Sequence, residues 1–144
     1  GAVCVLDSLN HLLTTADIMQ TFQRLRLFIQ PGGLLIFDVN TPYKHKTVLG
    51  DNAFVLEEEN LLCVWRNRLI RRTCEVEILL DFFIGENGHY TRFEDIVRER
   101  AYSRSTLEKL LQQAGFAVEA VYADMEILPP EEDCERWVFV ARNQ

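Results

Sequence analysis

The sequence contains no apolar run approaching the roughly 18 residues that a membrane-spanning helix needs. No signal-peptide pattern is visible either, so no membrane partner is expected. Cysteine is sparse and unpaired in spacing. Cys4, Cys63, Cys74 and Cys134 form no CxxC motif, and they read as reduced thiols of a cytoplasmic protein. His11, His45 and His89 lie far apart, outside any HxxxH or HExxH pattern, so no metal centre is expected. Basic residues are outnumbered, 15 against 22 acids, for a net charge of -7. The one basic stretch, Arg66 to Arg72, reads as a solvated surface, and no nucleic-acid partner is expected. An initiator Met is missing too. The sequence starts at Gly1 and runs directly into Ala2-Val3-Cys4-Val5-Leu6, which reads as a chain entered in its middle.

What is present is globular. Hydrophobic residues make up 48% and charged residues 26% of 144 positions, enough for one core without disulfides. Residues 2–7 are apolar on both faces and predict a buried parallel strand. Residues 8–13 predict a loop or short turn. Thr14, with Asp17 three residues on, predicts a helix start. Ile18, Met19, Phe22, Leu25 and Ile29 then predict one amphipathic helix over 15–30, stopped by Pro31-Gly32-Gly33. Leu34 to Asn40 is a second continuous apolar strand. Strand, helix, turn and strand make a βαβ unit, whose crossover is right-handed in nearly all cases. The polar strand ends, Asp7-Ser8 and Asp38 to Asn40, then share the carboxyl edge where open α/β sheets bind ligands.

Residues 41–60 look irregular. From 61 the pattern becomes an antiparallel meander with one solvated face: a strand over 61–67, strict alternation over 74–84, a Gly85-Glu86-Asn87-Gly88 turn and a return strand over 89–101. Ser103 or Ser105 caps a second helix carrying Leu107, Leu110, Leu111 and Ala114, closed by Gly115. Phe116 to Tyr122 and Arg136 to Ala141 are the last strands, joined as an antiparallel pair by a surface loop with Pro129-Pro130 and a run of acids.

The succession Val5-Leu6-Asp7-Ser8-Leu9-Asn10-His11-Leu12, then Pro31-Gly32-Gly33, then Phe37-Asp38-Val39-Asn40-Thr41-Pro42-Tyr43, then Leu107 to Phe116 resembles class I S-adenosylmethionine-dependent methyltransferases. The subgroup resembled is the small bacterial type with a β-rich insert after the fifth strand. Tyr90, Arg92, Glu94 and Tyr102 resemble a "Y.R.E" plus aromatic pattern of that insert. The resemblance implies an α/β fold: the carboxyl-terminal half of a Rossmann-like sheet, strands four, five, seven and six, with an antiparallel β insert. It implies one partial domain, with 1–43 and 103–144 as the α/β core and 44–102 as the insert. One departure counts. The family holds its cofactor mainly through a Gly-rich loop and an acid ending the second strand. The seven glycines here, at positions 1, 32, 33, 50, 85, 88 and 115, form no GxGxG after a strand.

The function implied is methyl transfer from S-adenosylmethionine to an acceptor the sequence does not name, in an enzyme whose cofactor half lies outside these residues. The isolated chain is then expected to be inactive. The alternative is a non-catalytic interaction or assembly module on the same half-fold. The resemblance puts Leu6, Asp7 and Ser8 beside the cofactor's methionine end, against a second reading in which Asp7 and Ser8 only cap the next turn. It puts Asn10, Asn40, Tyr43, Tyr90 and Arg92 toward a small-molecule substrate. Against this, Asn40 to Tyr43 read as a turn, and Tyr90, Arg92 and Glu94 as a solvated hairpin face. His11 is the candidate base near neutral pH, or an ordinary surface histidine. Trp65 and Trp137 read as core. The family's strand order would leave the strand at 2–6 as an open apolar edge, and a homodimer through that strand is expected.

Overall fold

A computed structural model of the chain describes residues 1–124 and 126–144. Met125, in the predicted surface loop, lies outside the described residues. The elements run β1 (Ala2–Cys4), a 3-10 turn (Ser8–His11), α1 (Thr15–Phe28), β2 (Leu34–Asn40), a π-helical turn (Lys44–Leu49), β3 (Ala53–Glu58), β4 (Leu61–Ile70), β5 (Glu75–Glu86), β6 (His89–Arg100), α2 (Arg104–Ala114), β7 (Phe116–Ala123) and β8 (Arg136–Asn143). Two four-stranded sheets result, one ordered β1-β2-β8-β7 and the other β3-β4-β5-β6.

The first sheet carries the core. β1 runs parallel to β2, while β8 is antiparallel to both β2 and β7, the order expected for strands four, five, seven and six. Thr14 caps α1, its Oγ1 accepting from the Asp17 amide. Ser103, not Ser105, caps α2 in the same way through the Thr106 amide. Gly115 ends α2 in the left-handed region at φ 90°, where a Cβ would be strained. Ile18 and Phe22 of α1 and Leu107, Leu110, Leu111 and Ala114 of α2 bury against Leu35, Phe37, Val39, Phe139 and Ala141. The Phe37 and Phe139 rings stack with centroids 4.9 Å apart. The residues alternating with these on the opposite face, Ile36, Val138, Val140, Ala120 and Tyr122, are half-buried.

Three expectations change. The first strand is parallel as expected but ends at Cys4, because Leu6 and Asp7 turn into left-handed backbone at φ 60° and 49°. Nor is it buried, since Val3 is 69% exposed. Residues 41–60 are not irregular. They hold the π-helical turn, which buries His45 and Leu49, and β3, which extends the meander to four strands. The polar face of the meander is not simply solvated. Glu77 and Asp81 are buried beneath arginines of neighbouring strands: Arg68 and Arg98 stand directly across from Glu77 in register, and Arg66 and Arg92 bind Asp81. Trp65 is half-buried against the cluster of Leu49, Leu69, Val76 and Ile78, and Trp137 against the main core.

Among the described residues, no helix is long and apolar enough to cross a membrane.

Candidate active site

The βαβ geometry brings the carboxyl ends of β1 and β2 together, and a dense polar cluster forms there. Asp38 organises it. Its carboxylate accepts the backbone N–H of Asp7 at 2.7 Å and of Leu6 at 3.2 Å, and Arg136 donates to it at 2.9 Å. The two amides fix the left-handed loop after β1, and Leu6 is left 76% exposed on its rim. Arg136 also lies 3.7 Å from the Asp7 carboxylate. Ser8 Oγ donates to the Val5 carbonyl at 2.6 Å.

Asn40 is the second node. Its Nδ2 donates to Asp7 Oδ2 and, at 3.1 Å, to Glu99 Oε2, while Lys44 Nζ donates to its Oδ1 at 3.0 Å. Asn10 is fully buried and grips the same strand end. Its Oδ1 accepts the Asn40 amide at 2.9 Å, and its Nδ2 donates to the carbonyls of Asn40 and Arg100. Both side chains are therefore occupied by the fold. His11, next to Asn10 on the 3-10 turn, is exposed. Tyr43 is half-buried at the start of the π-helical turn.

The end of β6 closes the cluster from the second sheet. Glu99 is buried, and its Oε2 lies 3.5 Å from Nε2 of the fully buried His45. His45 Nδ1 lies 3.1 Å from the Cys74 carbonyl. A carbonyl only accepts, so the Nδ1 proton is fixed there. Burial alone would raise the Glu99 carboxyl. The contacts with His45 and Asn40, with the charges of His45 and His11, outweigh it and hold Glu99 below its ordinary value. Arg100 donates to the Leu13 carbonyl at 2.7 Å, and the Tyr102 hydroxyl donates to the Leu12 carbonyl. Burial, opposed by Arg100, pushes the Tyr102 phenol up to about 12, so it remains a donor at neutral pH.

Leu6, Asp7, Ser8, Asn10, His11, Asn40 and Tyr43 thus gather at one edge. Tyr90 and Arg92 do not. Tyr90 is nine positions along β6 from Glu99, about 30 Å of strand, and is 70% exposed beside the hairpin turn. Arg92 is engaged by Asp81 and Glu94. Sequence reasoning missed Asp38 as organiser, together with Lys44, His45, Glu99 and Arg136. Asp38 was visible as a polar strand end. Glu99 meets Asn40 across 59 residues, and no local pattern announces that pairing.

No family model matches the chain. Two curated relatives, each named a putative methyltransferase, do. One, from Geobacillus sp. (strain WCH70), is 34% identical over 138 residues, covering 95% of this chain and 56% of the relative. The other, YqeM of Bacillus subtilis (strain 168), is 30% identical over 145 residues, covering 99% and 58%. A solved S-adenosylmethionine-dependent methyltransferase from Clostridium acetobutylicum ATCC 824 superposes with a TM-score of 0.89 at 27% identity, over 98% of this chain and 56% of that one. The chain has the class I methyltransferase fold. The CcbJ methyltransferase of Streptomyces caelestis shares it, with a TM-score of 0.80 at 17% identity, over 99% of this chain and 59% of that one. The chain spans somewhat more than half the length of the curated relatives it matches.

Solved methyltransferases of this fold include complexes with S-adenosylmethionine and S-adenosylhomocysteine. The residues present here fit one wall of such a site. The left-handed loop turns the apolar Leu6 side chain outward, and the Asp7 carboxylate stands beside it. The fit extends to this one wall only.

Proposed function

We propose that this chain forms the acceptor-side half of an S-adenosylmethionine-dependent methyltransferase, with the cofactor's Gly-rich loop supplied by polypeptide outside these residues. The observation that carries the reading is the convergence of Asp7, Asp38 and Asn40 at the carboxyl edge of a methyltransferase-type sheet. The relatives' names and the solved structures support it. When bound, the cofactor supplies a methyl carbon on a sulfonium. This chain's residues would position the acceptor and take up the proton it loses. Such a reaction depends chiefly on positioning. Leu6 to Ser8 line the cofactor's methionine end, held in shape by Asp38. His11, exposed on the same edge, takes the acceptor's proton. Tyr43 borders the acceptor, a small molecule. Asn10 and Asn40 shape this edge through the bonds described above.

The test is calorimetric titration of the chain with S-adenosylmethionine. No binding is expected up to millimolar concentration, and micromolar affinity would overturn the half-site reading. In a polypeptide of the relatives' length, His11→Ala should lower kcat about 100-fold or more, the usual range for a general base. An unchanged kcat would remove His11 from the reaction. A long polypeptide that binds no cofactor would favour an assembly module instead. The open edge of β1, with Val3 and Val5 exposed, is the surface through which two copies of this chain pair, and a monomeric mass in light scattering at high concentration would refute that pairing.

A further inference from the structure

Glu99 and His45 come from the second sheet and the π-helical turn, yet both end beside Asn40. We propose that this buried pair is a positioning element: it fixes the Asn40 carboxamide so that Asn40 holds Asp7 and the loop after β1 in one arrangement.

A carboxamide can flip, exchanging its donor and acceptor ends. Here the surroundings allow one orientation. Asp7 and Glu99 are carboxylates and only accept, so both face Nδ2. Lys44 only donates, so it faces Oδ1. Glu99 occupies the second Nδ2 hydrogen and leaves Asp7 as the partner of the first. A carboxylate so buried is costly without charge or hydrogen-bond compensation. Asn40 supplies one such bond, and His45 stands at the same oxygen, its Nε2 3.5 Å from Glu99 Oε2 and its ring locked by the Cys74 carbonyl. Among the described residues the buried His45 Nε2 has no hydrogen-bond partner, and the Glu99 carboxylate is the group it faces at that distance. The groups around Glu99 are therefore Asn40 from β2, His45 from the π-helical turn and His11 from the 3-10 turn. Neither Glu99 nor His45 lies on the exposed rim, so they act through Asn40.

The consequence for methyl transfer rests on the function proposed above, so the test reads geometry and not activity. That keeps failure of this inference distinct from failure of that reading. In the 15N-labelled chain, the side-chain NH2 signals of Asn40 and amide hydrogen exchange at Leu6 and Asp7 are followed by NMR. Glu99→Gln keeps an acceptor for Nδ2, so the Asn40 signals and the loop exchange should be preserved. Glu99→Ala removes it. The Asn40 NH2 should move toward the free-amide position, and the Asp7 amide should exchange about tenfold faster, the factor of one hydrogen bond to a charged group. His45→Asn keeps the donor to Cys74 and withdraws the ring from Glu99, so the Asn40 NH2 should shift while Leu107 and Leu110 of α2 do not. Rescue by Gln with loss in Ala is the expected pattern. Unchanged Asn40 and Asp7 signals in Glu99→Ala would overturn the inference. So would equal changes in Ala and Gln spread through the whole chain. If Glu99→Ala does not fold, His45→Asn decides, and an unmoved Asn40 signal in that variant refutes the proposal.

Discussion

Replacing Asp38 by Ala tests the most connected side chain of the site. The carboxylate receives two backbone amides, at 2.7 and 3.2 Å, and one guanidinium hydrogen bond at 2.9 Å. Its side chain is only 13% exposed and that of Arg136 only 20%, so solvent screening weakens these contacts little. Each hydrogen bond to a charged group contributes about 1.5–3 kcal/mol. They share one acceptor, and Arg136 retains Asp7 as a neighbour, so the sum is not additive. The expected loss is about 3 kcal/mol, or about 10 °C in Tm for a chain of this size. Left-handed backbone at the non-glycine residues Leu6 and Asp7 costs about 1–2 kcal/mol each, and the Asp38 acceptor holds it in place. The loop should therefore relax, and the Leu6 and Asp7 amides should lose exchange protection before the core does. Asp38→Asn is the sharper variant. Its single carbonyl can serve Asp7, but its NH2 then faces Arg136 and the Leu6 amide, donor against donor. It should recover less than half of the loss. Urea unfolding followed by circular dichroism gives the stability, and NMR exchange gives the local effect. A loss below about 0.5 kcal/mol in Asp38→Ala, the range of ordinary surface substitutions, would refute the organising role given to this carboxylate.

Glu99 is held below its ordinary carboxyl value of 4.5 in the folded chain, so the unfolded state binds the proton first as pH falls. Its contribution to stability is complete above the unfolded value and disappears as pH drops through the folded one. Glu99→Gln should therefore flatten the acid limb of the urea midpoint against pH, and an unchanged limb would refute this. Phe37→Ala removes a fully buried ring stacked on Phe139 and should cost about 3–5 kcal/mol in chemical denaturation, with a cost under 1 kcal/mol counting against the assigned core. Gly115→Ala places a side chain at φ 90° and within 2.6 Å of Arg26. A calorimetric loss of about 1–2 kcal/mol is expected from the backbone alone, and a neutral result would refute the left-handed cap.

The α/β core was legible because its signals are local. Leu34 to Asn40 reads as a strand from its own composition, and Thr14, Ser103 and Gly115 mark helix ends within three residues of what they cap. β3 was missed because its apolar start runs into Glu57 and Glu58 without alternation, and its strand character comes from pairing with β4. Glu77 and Asp81 were read as solvated because their own strand alternates correctly; the arginines that cover them belong to β4 and β6. The site divides in the same way. Asp7 and His11 stand in a recognisable turn and Asn40 at a recognisable strand end, whereas Glu99, His45 and Arg136 enter only once the chain has folded.

The half-buried face formed by Ile36, Val138, Val140 and Ala120, continued by Val3 at the open edge, has a practical consequence. Dyes that brighten on apolar surface are commonly used to flag partly folded states. This chain offers such a surface in its native fold. It should brighten such a dye while its side-chain NMR signals stay dispersed, so dye binding alone would misjudge a correctly folded preparation.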